Sequence, residues 1–371
     1  MILFFVLLLV LVGFALQKWM IIHGLQGVQS TYRPEENIVD AGEVFFILIE
    51  IENRCKWPIP YVKVKMYFDG DIQVMESALR FAKESGQGGG SVETSVWMRP
   101  GQQVELKIPV KISGRGRYVL SHPNLFGGDF LGLCETRREV AIFREVIAAP
   151  KSLPEQKIQE LMGSFLGDIS VRRYLYEDPL MTAGYREYTG REPMKQIDWK
   201  QSAHSRILMV KEYDHTVEPV LTVLLNIETD YSGTDYRQKE KVLEVCYCLA
   251  RSVCEELENK GIKYVFCTNG KQAGAAGDFH MVREGLGHRH FLKILECLGR
   301  GLYEAAFSRE KLLELAKGEL SKGVVLITPF REDFEQCLEF RHLQQEIGEN
   351  LLLLYGCEID GGEDCDLDAR S

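Results

Sequence analysis

The sequence predicts an α+β multidomain protein: an N-terminal transmembrane helix, an immunoglobulin-like β-sandwich, then a doubly wound α/β domain. Three observations predict it. An apolar run opens the chain. Short alternating segments follow, separated by Gly/Pro turns. Strand-like and helix-like patterns then alternate almost to the end. The chain has 371 residues, more than one typical domain holds. The expected boundaries are an anchor at 1–23, a β-sandwich at 32–150, a connector at 151–214, an α/β domain at 215–358 and an acidic tail at 359–371.

The anchor is expected from Ile2 to Leu16, an unbroken apolar or small run. Gln17 and Lys18 interrupt it, and Trp19 to Ile22 extend it. It spans a bilayer if Lys18 snorkels and Trp19 sits at the interface. A cleaved signal peptide is the alternative. No basic segment precedes the run and no small-x-small site follows it, which favours the anchor. Lys18 and Arg33 follow the helix, so the positive-inside rule places the bulk of a single-pass cell-membrane protein in the cytoplasm. Ten cysteines at irregular spacings, with no CxxC pair, read as free thiols of a reducing compartment. The formal net charge of −10 argues against sequence-independent nucleic-acid binding, which needs a basic face.

The β domain is expected from Val44–Arg54 and Tyr61–Phe68, separated by the turn Trp57-Pro58-Ile59-Pro60. Ser91–Met98 and Val104–Ile112 flank Pro100-Gly101 as two more strands. Gly114, Gly116 and Tyr118 lead into another, and Val140–Pro150 closes the region. Short strands at this spacing suggest an immunoglobulin-like sandwich. The glycine-rich loop Glu84 to Ser91 reads as a hairpin loop.

In the connector, Glu155 to Phe165 reads as a short helix and Glu177-Asp178-Pro179 as a turn. Then come Gly184 to Tyr213, dense in charged and aromatic residues and without a clean period. Two readings stand. Tyr188 and Trp199 pack on the next domain while Arg186 pairs with Asp198, making a structural clamp. Alternatively, the stretch is a partner or ligand surface.

The α/β domain follows from a buried strand at Pro219–Glu228, a helix at Lys239–Lys260 closed by Gly261, and a strand at Ile262–Gly270. Helices at His290–Leu298 and Arg309–Leu320, a strand at Gly323–Phe330, a helix at Phe334–Glu346 and a strand at Asn350–Glu358 complete it. That alternation argues a parallel sheet, whose ligands sit at the carboxyl ends of its strands. Asn226, Glu228 and Asp230 end the first strand and Thr328 the third, oxygen ligands suited to a hard cation such as Mg²⁺. No catalytic motif surrounds His204 near Asp198, or Cys267 with His280 or His288, so the protein reads as a non-enzyme. The acidic terminus reads as a solvated tail.

The stretch from Arg186 resembles the bacterial family called domain of unknown function fifty-eight, whose signature runs R-E-Y-x-x-G-D-x-x-R-x-I-D/H-W-K-x-S-A-R. Arg186-Glu187-Tyr188, Ile197-Asp198-Trp199-Lys200 and Ser202-Ala203 match it. Arg191, Glu192, Lys195 and His204 depart from it, with charge kept in kind at Glu192 and Lys195. Asp40–Glu43, Glu50–Asn53 and Gly114–Tyr118 resemble the family's β domain, and Asp129–Leu133 its D-P-F-G-L loop, with Phe130 where proline is usual. The resemblance implies a von Willebrand factor type A-like C-terminal domain. It also implies association with a MoxR-type AAA+ ATPase and a transglutaminase-like membrane protein. It defines no biochemical activity. The resulting expectation is a membrane-anchored, non-catalytic adaptor whose partner surface carries Arg186, Glu187, Tyr188, Glu192, Asp198, Trp199, Lys200 and Ser202. The alternative is a divalent-metal-dependent module, with Asn226, Glu228 and Asp230 at the positions of a D-x-S-x-S site and Thr328 where a later strand of such domains often ends in aspartate.

Overall fold

The computed structural model describes residues 2–23, 25–75, 80–83, 90–128, 135–173, 182–190, 194–213, 220–230, 236–274, 280–317 and 323–359. The loop positions 84–89, the 129–133 loop, the 177–179 turn, Glu192 and the tail from 360 on lie outside them. Among the described residues the chain divides into two compact units, one holding Met1–Lys151 with Leu298–Arg300 and the other Ser152–Cys297 with the segment from Gly301 to Ile359.

The apolar opening run forms helix α1 (Ile2–His23). Phe4, Phe5, Leu7, Leu8, Leu11 and Phe14 are exposed on it. Among the described residues, no helix is long and apolar enough to cross a membrane, which corrects the expected transmembrane anchor. The physical reason is the polar break at Gln17 and Lys18, which cuts the apolar run short within the 22-residue helix. The continuous run from Ile2 to Leu16 rises only about 22 Å, against about 30 Å of hydrocarbon. The extension beyond Lys18 has another role. Trp19 stands edge-on to Trp57 of the β unit, ring centroids 4.7 Å apart. Just past the helix, the Arg138 guanidinium donates to the carbonyls of Leu25 (2.9 Å) and Val28 (2.7 Å).

The first unit carries β1 (Val28–Pro34), β2 (Ile38–Asp40), β3 (Val44–Asn53), β4 (Ile59–Phe68), β5 (Ile72–Val74), β6 (Arg80–Lys83), β7 (Gly90–Met98), β8 (Gln103–Ile112), β9 (Gly116–Leu120), β10 (Asn124–Gly128), β11 (Glu135–Glu139) and β12 (Arg144–Ala149). They form sheets ordered β1-β3-β8-β5, β11-β10-β4-β7-β6 and β2-β12-β9. The alternating strands bury one face each. Ile47, Ile49 and Ile51 of β3 and Ile108, Val110 and Ile112 of β8 join Val62, Val64 and Met66 of β4 in one core. This is an immunoglobulin-like β-sandwich.

Two polar side chains tie its ends. Tyr32 is fully buried, and its hydroxyl donates to Ile142 O at 2.5 Å and reaches Leu120 O at 3.3 Å. Asn53, also fully buried, donates to Trp57 O and Arg99 O and accepts from Cys55 N–H. It thus closes the loops after β3 and β7.

The second unit opens with α2 (Glu155–Arg173), longer than expected, and a hairpin of β13 (Thr182–Glu187) and β14 (Met209–Tyr213) enclosing α3 (Trp199–Ser205). Then follow β15 (Val220–Leu225), α4 (Tyr236–Lys260), β16 (Lys263–Thr268), β17 (Gly270–Gln272), β18 (Met281–Gly285), α5 (His288–Arg300), β19 (Gly301–Ala305), α6 (Arg309–Ala316), β20 (Gly323–Thr328), α7 (Arg331–Gln336), α8 (Leu338–Ile347), β21 (Leu351–Tyr355) and α9 (Gly356–Ile359). The main sheet runs β18-β16-β15-β20-β21. Its pairs are parallel except for the antiparallel edge strand β18, whose short half-exposed pattern left no strand signal in the sequence. The central strands are buried along nearly their whole length, as sheets covered on both faces require. Gly261 ends α4 at φ +66°, where a left-handed residue lets the helix terminate.

The helix expected across Phe334–Glu346 is broken at Cys337, which is extended. Phe334, Cys337, Phe340 and Leu343 are all buried. Residues three apart drift around an unbroken 3.6-residue helix, and the break returns all four to the core. The chain leaves β15 toward neighbours on opposite sides, so its carboxyl end is the topological switch point.

Replacing Tyr32 by Phe removes a buried hydroxyl and its bond to Ile142 O, a carbonyl that His122 Nδ1 also reaches at 3.0 Å. Urea unfolding is expected to show a loss of about 0.5–1.5 kcal/mol with the slope unchanged.

Candidate functional site

The signature stretch folds as the hairpin β13–β14 with α3 set between its strands. Asp198 is the N-cap of α3, and one carboxylate oxygen accepts from the N–H groups of Lys200 and Gln201, both at 3.0 Å. The other lies 3.6 Å from Lys211 Nζ. The Gln201 and Lys200 N–H groups and the Lys211 ammonium hold this carboxyl below its ordinary value against the opposing effect of desolvation. Ser202 Oγ donates to Asp198 O at 2.6 Å and accepts from Met209 N–H at 2.8 Å, tying α3 to β14. Ile197 and Val210 bridge across the same junction and are buried. The helix ends at Arg206, in the left-handed region at φ 61°.

The sequence stretch therefore splits into two groups. Asp198 and Ser202 hold the motif together. Arg186, Glu187, Trp199 and Lys200 are exposed, and Tyr188 is half-buried. Two expectations are corrected. Asp198 pairs with Lys211 rather than Arg186, because Lys211 lies on the adjacent strand. Trp199 is not a packed clamp, since 61% of it is exposed at the first turn of α3. Met194, Ile207, Leu208 and Tyr185 of the same motif are exposed as well. A short capped helix with one buried edge leaves such side chains outward.

A second cluster lies at the carboxyl end of β15, and there the four expected cation ligands meet further residues. Asn226 is fully buried. Its amide donates to Glu228 O (2.9 Å) and Thr328 Oγ1 (3.2 Å). Its carbonyl accepts from Glu228 N–H (3.1 Å) and the Asn269 amide (2.8 Å). Asn269 Oδ1 accepts from Ile227 N–H.

Glu228 and Asp230 turn to Arg309, the first residue of α6. Arg309 donates to Glu228 Oε2 from its backbone N–H (2.6 Å) and its Nε (3.2 Å). Its Nη2 donates to Asp230 Oδ2, and its Nη1 to Asp333 O (3.0 Å). Buried Asp333 accepts in turn from the N–H groups of Asp230 and Phe330. Burial pushes the Asp333 carboxyl up, opposed by its hydrogen bonds and by Arg309. Burial works against the Arg309 charge too, but Asp230, Glu228 and Asp333 outweigh it and the guanidinium holds its proton more firmly.

This donor set does not fit a divalent ion. The Asn226 carbonyl, the Thr328 hydroxyl and the facing oxygens of Glu228 and Asp230 already accept hydrogen bonds. Arg309, Asn269 and Asp333 were not legible as members, because they join Glu228 only through the fold.

The remaining candidates offer little chemistry. Cys267 is fully buried, which denies it an external substrate, and His204 and His288 are exposed. The His280 ring stands edge-on to Phe307 at 4.8 Å. Ligating atoms of Glu310, Cys337 and Glu339 lie within 4.8 Å of one another. The Cys337 thiol donates to Glu339, and burial pushes it up, away from the thiolate a metal takes.

No family model matches the sequence, and no curated protein does. Among solved structures, the chain is similar to a CARDB domain from Pyrococcus furiosus solved with di-metal ions, at 13% identity and a TM-score of 0.21, over 33% of this chain and 91% of that one. It is similar to a cohesin module of a Clostridium perfringens family 33 glycoside hydrolase, at 15% identity and 0.23, over 33% and 96%. It is also similar to trypsin-activated alpha-2-macroglobulin from Escherichia coli, at 13% and 0.23, over 46% of this chain and 9% of that one. Likenesses of this size carry no functional argument. The sandwich rests on the strand pairing itself.

Two outcomes follow for the hairpin motif. Trp199→Ala is expected to leave stability within about 0.5 kcal/mol of wild type in chemical denaturation, as exposed sites do. A loss of several kcal/mol would restore the clamp. Asp198→Ala is expected to lower the melting midpoint at neutral pH. A carboxyl held below its unfolded value stabilises above that value, and the contribution disappears as pH falls through the folded one. The gap between wild type and variant should therefore narrow as pH drops below about 4.

Proposed function

We propose that the protein is a non-catalytic adaptor that presents the β13–α3–β14 motif to a protein partner. The observation that carries this reading is the exposure of Trp199, Met194, Ile207, Leu208 and Tyr185 on one small motif whose own fold is held by Asp198 and Ser202. Exposed apolar groups rimmed by charge are the usual make-up of an interaction surface, and Trp, Tyr and Arg dominate binding energy in such surfaces. Arg186, Glu187 and Lys200 provide the charged rim.

The partner is a MoxR-type AAA+ ATPase, and a transglutaminase-like membrane protein is a second one. Both come from the resemblance of Arg186–Tyr188 and Ile197–Lys200 to the family signature. The same resemblance implies a von Willebrand factor type A-like unit, and the order β18-β16-β15-β20-β21 with one antiparallel edge strand supports that reading.

The test is titration calorimetry of the full chain against a purified MoxR-type ATPase loaded with nucleotide. Wild type is expected to bind, and the Arg186→Ala/Trp199→Ala double variant to bind at least about 30-fold more weakly while melting at the same temperature. Equal affinities for the two chains, or no binding by wild type, would remove the reading.

A further inference from the structure

We propose that Arg309 is a tethered cation that takes the place of a divalent ion at the carboxyl edge of the parallel sheet, so that this unit is built to work without metal. The inference stands apart from the adaptor reading and does not depend on it.

Position is the first argument. The carboxyl end of β15 is the switch point of the sheet, where open α/β sheets gather their ligands. Asn226, Glu228, Asp230 and Thr328 provide oxygen there. An unpaired cluster of that kind, partly buried, would demand a counter-charge. The only guanidinium that reaches it among the described residues is that of Arg309, with a side chain 6% exposed against 67% for Asp230.

Directionality is the second. A hard cation gathers ligands from several loops at once. Arg309 does this with its planar fork: Nε on Glu228, Nη2 on Asp230, Nη1 on the Asp333 carbonyl. Its backbone N–H adds a further bond to Glu228. Three segments meet on this one residue: the turn after β15, the start of α6 and the start of α7. A fork matched to carboxylates forms such bonds where an ammonium cannot.

The inner layer is the third. Asn226 spends its whole amide on Glu228, Thr328 and Asn269, and so has no lone pair to turn outward. Because the cation is covalently part of the chain, it cannot dissociate, and its occupancy is independent of free metal. Removing its side chain would leave Glu228 and Asp230 facing a vacated space with no counter-charge. That is a site a divalent ion can enter.

The experiment is thermal melting of the full chain with EDTA, or with millimolar Mg²⁺ or Mn²⁺, at ionic strength matched with KCl. It compares wild type, Arg309→Lys and Arg309→Ala. The wild-type midpoint is expected to be the same in all conditions. Arg309→Ala should melt several degrees lower in EDTA and regain at least half of that loss with Mg²⁺ or Mn²⁺, but not with KCl. Arg309→Lys should fall between the two and respond weakly. If Arg309→Ala does not fold in EDTA, Arg309→Gln takes its place in the same comparison. A wild-type midpoint that rises with Mg²⁺ and falls with EDTA overturns the proposal. So does an Arg309→Ala midpoint equal to wild type, or a loss that no divalent ion restores.

Discussion

A polar group taken out of water without a partner costs more than a typical hydrogen bond returns, and this constraint governs both units. In the sandwich it acts through Tyr32, whose buried hydroxyl joins β1 to carbonyls about a hundred residues on. It acts again through Asn53, which closes two loops with one amide. In the α/β unit it acts through Asn226, and through the carboxylates that follow it. Arg309 answers the charge of these carboxylates, of which Glu228 is half-buried and Asp230 largely exposed. The apolar cores make the sheets stable, but these few polar side chains decide how their ends are joined.

The hairpin motif follows the same logic on a smaller scale. Seven residues of helix are too few to stand alone, since nucleation is costly and short helices are marginal. Asp198 and Ser202 supply what the helix lacks. They satisfy its first N–H groups and fasten it to β14. With the motif secured from within, Trp199 and its neighbours are left to the surface. Charged and aromatic residues that lie side by side in the sequence thus have opposite duties, and one turn of helix separates them.

The large elements were readable from the residues. Alternation in Tyr61–Phe68 and Val104–Ile112 gives half-buried strands, and the near-continuous apolar runs of β15 and β20 give strands covered on both faces. The stripe along α4 and the glycine after it give that helix its length and its end. Less was readable where two signals compete. The apolar run of α1 reads as a span until its length to Lys18 is set against bilayer thickness. Phe334–Leu343 reads as one helix until its three-residue spacing is followed around the axis.

The sequence by itself determined the kind of each major element and which face of it is apolar, because period and turn chemistry are local properties of the chain. It also placed Asn226, Glu228, Asp230 and Thr328 at strand ends, since those residues follow directly on the apolar runs. Only the tertiary structure decided what those residues meet. Arg309 lies about eighty positions from Glu228, and Lys211 displaces Arg186 from Asp198 through strand pairing. Whether a carboxylate faces a metal, an arginine or water depends on groups brought near by folding, and no local pattern carries that information.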